Sequence, residues 1–118
     1  MRVGIVRYPG STCTNDMLRY FENSFYIWHN EETLLESIEL LVIPGQIAIE
    51  SPINKIILEA VKRKIPILGV GNGFQILVHL GLLPGNLLLN LDKKFTCAKV
   101  KCILYNKFTG HKNDISVE

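Results

Sequence analysis

Four short apolar runs, most of them closed by turn-forming residues, set the strongest limit on what this chain can fold into. Val3-Gly4-Ile5-Val6 ends at Pro9-Gly10-Ser11, Leu40-Leu41-Val42-Ile43 at Pro44-Gly45, and Pro66-Ile67-Leu68-Gly69-Val70 at a glycine-rich turn. Phe25-Tyr26-Ile27-Trp28 is the remaining run. Runs that are continuously apolar, rather than alternating, belong to strands buried on both faces, which implies a parallel sheet covered by helices on each side. The segments between them supply those helices. One is expected from near Thr14, with Met17, Leu18 and Phe21 inward. The clearest takes Ser51 as N-cap and Pro52 at its first position. There Ile53, Ile56, Ile57, Ala60 and Val61 recur at helical spacing, and Lys62, Arg63 and Lys64 occupy the negative end of the dipole. A third helix crosses Phe74 to Leu80, with Gly81 as its C-cap.

In a parallel α/β sheet ligands bind outside the carboxyl ends of the strands. The loops Pro9–Asn15, His29–Glu32, Pro44–Ser51 and Val70–Asn72 are therefore expected along one edge. Lys93 to Tyr105 reads as extended, a hairpin arm. The 118 residues form one domain, with 1–92 as the α/β core and 93–118 as arm and tail. At 47% hydrophobic residues the chain has the apolar content for a core and is not disordered. A net charge of +2 is too weak to argue for a nucleic-acid surface. Three scattered cysteines suit a reduced, cytoplasmic protein better than a disulfide framework. Between Lys64 and Asp92 the only ionisable side chain is His79, yet Pro66, Pro84 and five glycines there would leave backbone groups unpaired in lipid. No membrane span or targeting segment is read.

The informative turn is Gly69-Val70-Gly71-Asn72-Gly73. As a dinucleotide fingerprint it fails, because the third glycine of G-x-G-x-x-G falls on Phe74 or Ile76, and the turn follows the fourth strand, not the first. As a nucleophile elbow it fits. A strained residue, Gly71, would stand at the tip, small neighbours would permit the turn, and the next N–H, that of Asn72, would help bind an oxyanion. A plain strand–helix turn with glycines for packing is the unspecific alternative.

Leu68 to Leu77 of this sequence resembles the elbow of class I glutamine amidotransferases, where G-x-C-x-G-x-Q surrounds a cysteine. The wording Asn72-Gly73-Phe74-Gln75-Ile76-Leu77 is most similar to the glutaminase-subunit family of phosphoribosylformylglycinamidine synthase, an enzyme of purine biosynthesis. Further segments resemble that family in the same order: Tyr8-Pro9-Gly10-Ser11-Thr12-Cys13, Trp28-His29-Asn30-Glu31, Ile43-Pro44-Gly45, Gly81-Leu82-Leu83-Pro84-Gly85-Asn86 and Lys94-Phe95-Thr96-Cys97. The resemblance runs from Met1 to about Asn106. It implies a three-layer, flavodoxin-like α/β sandwich with a mostly parallel sheet in the order 2-1-3-4. It also implies descent from enzymes that hydrolyse the glutamine side-chain amide and pass ammonia to a synthetase subunit.

Three departures bear on that reaction. Gly71 stands where the family has its cysteine, so no thioester can form; removal of the nucleophile of a hydrolase costs roughly 10⁶ in turnover. Glycine also tolerates the strained dihedrals of an elbow, which favours the fold by roughly 1 kcal/mol. The chain stops at Glu118, ahead of the positions where the family carries a His–Glu pair, and His29, His79 and His111 do not match that pair. After Pro44-Gly45 the segment Gln46-Ile47-Ala48-Ile49-Glu50 leads into Ser51 without the family's longer Gly/Tyr-rich excursion, which alters the oxyanion donors at Gly45 and Gln46. Loss of one such donor costs about 10²–10³.

Other residues carry weaker chemistry. The resemblance places Gln75 against bound glutamine, while an amide satisfying nearby backbone is the plain reading. Cys13 lies near a helix N-terminus that would favour a thiolate, in a motif that is not catalytic in the family. Cys97 and Cys102 lack a second ligand pair, so no metal site is read. Asp16 and Glu31 could pair charges at the functional edge. The expectation is a truncated amidotransferase-like chain without glutaminase activity, needing no cofactor, that binds a synthetase partner or glutamine. The alternatives are a glutaminase completed by another chain, and an anion-binding module. Uncovered sheet edges predict a homodimer through the Phe95–Tyr105 arm or the exposed edge.

Overall fold

The first apolar run forms β1 (Val3–Arg7), buried over most of its length because it takes a parallel neighbour on each side. The computed structural model describes residues 1–34, 36–45, 50–105 and 112–117. The chain divides into two units, Met1–Leu87 and Leu88–Glu118. The division falls a few residues ahead of the boundary drawn from the sequence.

In the first unit β1 is followed by α1 (Thr14–Tyr20), β2 (Ser24–Trp28), β3 (Leu40–Ile43), α2 (Asn54–Lys62), β4 (Ile67–Gly69) and α3 (Asn72–His79). The four strands are parallel in the order β2-β1-β3-β4, the order expected from the sequence. Strand alternation then sorts the side chains. Val6, Ile27, Leu41 and Ile43 face one side, where Ile56, Ile57 and Ala60 of α2 and Ile76 and Leu77 of α3 meet them. Val3, Ile5 and Val42 face the other side and pack against Met17 and Leu18 of α1 and Phe21 just beyond it. These are the three layers of an α/β sandwich.

α3 stops in a Schellman motif. Gly81 N–H donates to the Val78 carbonyl and Leu82 N–H to the Leu77 carbonyl, at 3.0 and 2.9 Å. Two sequence expectations about α2 are corrected. Ser51 does not cap the helix, which starts at Asn54 without a side-chain cap; its hydroxyl instead donates to the His29 carbonyl at 3.2 Å. Val61 is exposed, one position past the buried stripe that ends at Ala60. A third correction concerns β4. Leu68 shares the face of Val42, its register partner, but is 43% exposed because α1 lies over β1 and β2. Among the described residues, therefore, the fourth apolar run is covered on one face only.

In the second unit β5 (Val100–Tyr105) pairs antiparallel with β6 (Lys112–Val117). The extended segment expected from Lys93 thus becomes strand only at Val100, and its partner comes from the stretch read as a tail. Ahead of β5 a turn is closed by Lys93 N–H donating to the Asn90 carbonyl at 2.8 Å and the Asn90 amide donating to the Lys94 carbonyl at 2.7 Å. Among the described residues no helix is long and apolar enough to cross a membrane.

Candidate functional site at the carboxyl edge

Because all four strands run the same way, the loops that follow them share one edge, and hydrogen bonds tie them together. Thr12 N–H donates to the Gly45 carbonyl at 3.0 Å, joining the loop after β1 to the loop after β3. Val70 N–H donates to the Ile43 carbonyl at 2.9 Å, anchoring the turn after β4 to the same place. His29 donates its N–H to the Arg7 carbonyl at 2.9 Å, accepts from Ser51, and stacks its ring on Tyr8 at 6.3 Å between centroids. His29 is thereby a pin between loops.

The elbow is built from one conformational requirement and one close approach. Gly71 takes φ +57° and ψ −124°, outside every region open to an L-residue without strain, so the chain reverses from β4 into α3 within one residue. Gly73 N–H and Phe74 N–H close the turn onto the carbonyls of Val70 and Gly71, at 3.0 and 3.1 Å. Gly73 is fixed by packing. A methyl group there would collide with the carbonyl oxygen of Ile43, so only glycine lets α3 sit on the end of β3.

The tip itself is open. Among the described residues, a Cβ built on Gly71 would meet nothing nearer than the Gly45 Cα, at 3.8 Å, an ordinary contact. Among the described residues, space for a side chain exists at the tip, and this chain leaves it without one. Gly45 is buried beside the tip. Its N–H makes no hydrogen bond to the described residues. Asn72 is exposed and opens α3. Gln75 is half-buried four residues past the tip, on the same helix face as Gly71, and its amide makes no hydrogen bond to the described residues. Among the described residues, the amide of Gln75 thus has no backbone partner of the kind its plain reading asks for.

Among the described residues, no side-chain hydrogen bond or ion pair joins the remaining sequence candidates to the elbow. Cys13 is half-buried at φ +55° ahead of α1, and its carbonyl accepts from Met17 N–H at 3.0 Å. Asp16 and Glu31 are both exposed, and neither forms an ion pair with the described residues at the functional edge. His79 and Lys62 to Lys64 are exposed, and Arg63 pairs with Glu59 at 2.9 Å. Cys97 and Cys102 are exposed thiols of the second unit. Among the described residues no cluster of three or more His, Cys, Asp or Glu could hold a metal ion. Gln46 and His111 lie outside the described residues.

Sequence reasoning missed two features of this edge. Thr12 packs its hydroxyl where a Cβ on Gly45 would sit, 2.7 Å away. Arg7 lies over the rings of Tyr26 and Trp28. The in-register parallel pairing of Arg7 with Trp28 was the signal needed for the second, and one sequence does not give register.

No protein-family model matches the chain. Among curated proteins it is similar to the phosphoribosylformylglycinamidine synthase subunit PurQ of Novosphingobium aromaticivorans, 32% identical over 118 aligned positions that take up 86% of this chain and 52% of that protein. The PurQ subunit of Methanothermobacter thermautotrophicus is 36% identical over 112 positions, 82% of this chain and 51% of that protein. The chain spans about half the length of the curated relatives it matches. Among solved structures it is similar to a chain in the structure of PurLQS from Thermotoga maritima, with 32% identity and a TM-score of 0.77, covering 98% of this chain and 65% of that one. The order of the sheet, the helices on its two faces and these matches agree: the chain is a homologue of PurQ, with the flavodoxin-like fold of class I glutamine amidotransferases.

Proposed function

We propose that this chain is an amidotransferase-like module that does not hydrolyse glutamine and that serves as a binding or assembly partner of a synthetase subunit of purine biosynthesis. The observation that carries this reading is the glycine at the tip of a well-formed elbow. The strained turn, the room for a side chain and the neighbouring Gly45 are all present, and the group that would attack the amide carbon is not. Thioester chemistry requires a thiolate at that tip, aimed at a carbonyl held by preorganised N–H donors. Here only the donor side of the arrangement is available. It suits an acceptor atom such as an amide or carboxylate oxygen.

Similarity to PurQ subunits, and to a chain in a structure of PurLQS, supports a synthetase as the partner. The test is co-elution of the purified chain with a phosphoribosylformylglycinamidine synthase synthetase subunit from the same organism, in size-exclusion chromatography with light scattering. A stoichiometric complex is the expected result. Separate elution at concentrations of about 10 μM, well above the Kd of an ordinary stable complex, would count against the assembly role.

A further inference from the structure

The edge of β2 carries a charged and aromatic arrangement that the elbow does not use. Arg7 closes β1 opposite Trp28, and its guanidinium carbon lies 4.8 Å from the centroid of the Tyr26 ring and 5.1 Å from that of Trp28. The Tyr26 hydroxyl donates to Asn15 Oδ1 at 2.6 Å, which fixes the ring beneath the guanidinium. Among the described residues no carboxylate pairs with Arg7. With its guanidinium carbon over the two rings and no hydrogen bond from its side chain to the described residues, its N–H groups are left for a planar acceptor.

Among the described residues the outward backbone of Tyr26 is also unpaired, while the Trp28 carbonyl accepts from Glu31 N–H at 2.9 Å. Val3 N–H donates to the Asn23 carbonyl and His29 N–H to the Arg7 carbonyl, so the odd-numbered residues of β2 turn their polar groups toward β1. Tyr26 therefore turns its N–H and carbonyl outward, where no strand lies among the described residues. A cleft of about 190 Å³, lined by Phe25, Tyr26, Ile27, Glu31 and Thr33, opens between β2 and the chain that follows it.

We infer that this edge docks an extended segment of a protein partner, added as a further strand beside β2, whose Asp or Glu side chain pairs with the rim of the Arg7 guanidinium. The inference deepens the reading of the chain as a binding module and rests on it. Charge selects the occupant. One cation without a counter-ion matches one carboxylate, and the guanidinium fork fits a carboxylate with two parallel hydrogen bonds. An extended segment also satisfies the outward groups of Tyr26, which a free anion cannot do. Arg, Tyr and a 47% exposed Trp are, moreover, the residue types that dominate the energy of protein interfaces.

The test selects ligands for the purified chain from a random heptapeptide display library and measures each by the fluorescence of Trp28, the only tryptophan present. The expected ligands carry Asp or Glu, and bind about tenfold more weakly when that acid is replaced by its amide. A similar loss is expected on Arg7→Lys, which keeps the charge but not the fork, and on N-methylation of alternate peptide residues, which removes the strand's hydrogen bonds. The inference is overturned by any of four results: no enriched ligand, ligands without an acid, binding indifferent to N-methylation or to Arg7→Lys, or free acetate and glutamate binding as tightly as the peptide. The amide and N-methyl peptides test the unaltered chain, so the outcome does not depend on whether Arg7→Lys folds. Co-elution with the synthetase is measured separately. If it persists while no peptide is selected, the docking edge fails alone; if it is absent while acidic peptides bind, the synthetase assignment fails alone.

Discussion

Gly71 and Gly73 sit two residues apart in one turn and are glycine for different reasons. At Gly71 the constraint is the backbone, φ +57° with open space beyond. At Gly73 it is a carbonyl oxygen of β3 pressed against the Cα. The sequence displays the alternating glycines, and with them the elbow, but it gives no sign of which glycine meets which constraint. The Ile43 carbonyl comes from a strand 30 residues earlier, and its approach depends on how α3 packs. Gly71→Cys should fold, at a cost of about 1–3 kcal/mol in urea unfolding, because no described residue fills the space and dihedral strain is what opposes it. Gly73→Ala should also cost about 1–3 kcal/mol, but by displacing α3 from β3. Amide exchange separates the two. Faster exchange along α3 is expected for Gly73→Ala only, and equal exchange in both variants would contradict the assignment.

At the scale of elements, strand positions were legible and helix details less so. β1, β2 and β3 follow the apolar runs to within a residue at each end, because a continuous apolar run bounded by turn residues has few other ways to be buried. Periodicity located α2 but placed Val61 inward, since a spacing rule does not know where the sheet ends. Ser51 has the right residue type for a cap, yet the nearby His29 carbonyl claims its hydroxyl. Arg7, a charged residue at a strand end, carried no sequence signal for the rings it covers, which become its neighbours only through the register of β1 and β2. The observed burial makes a direct prediction. Ile57→Ala should lose about 2–5 kcal/mol, as for a filled core site, whereas Val61→Ala should change stability by less than about 0.5 kcal/mol. A comparable loss at both positions, by chemical denaturation, would restore the sequence reading and overturn the structural one.

On the scale of the whole molecule, the α/β class and the parallel sheet could be read from alternating strands and helices, while the strand order came from the family resemblance, within the few arrangements that right-handed crossovers admit. The pairing of the last segment could not, since the strand that completes the hairpin carries no continuous apolar run. Exposed Leu68 on a strand with one described neighbour is a surface that favours association. Light scattering at micromolar concentration should accordingly report a dimer, and a monomer would count against it. The most direct test of the central claim is release of ammonia from glutamine by the purified chain, measured with the synthetase partner present and absent. No glutamine-dependent ammonia above the buffer rate is expected in either case, because a glycine at the elbow offers no atom to attack the amide. Sustained release by the chain, at a rate unchanged by Cys13→Ala, would contradict it.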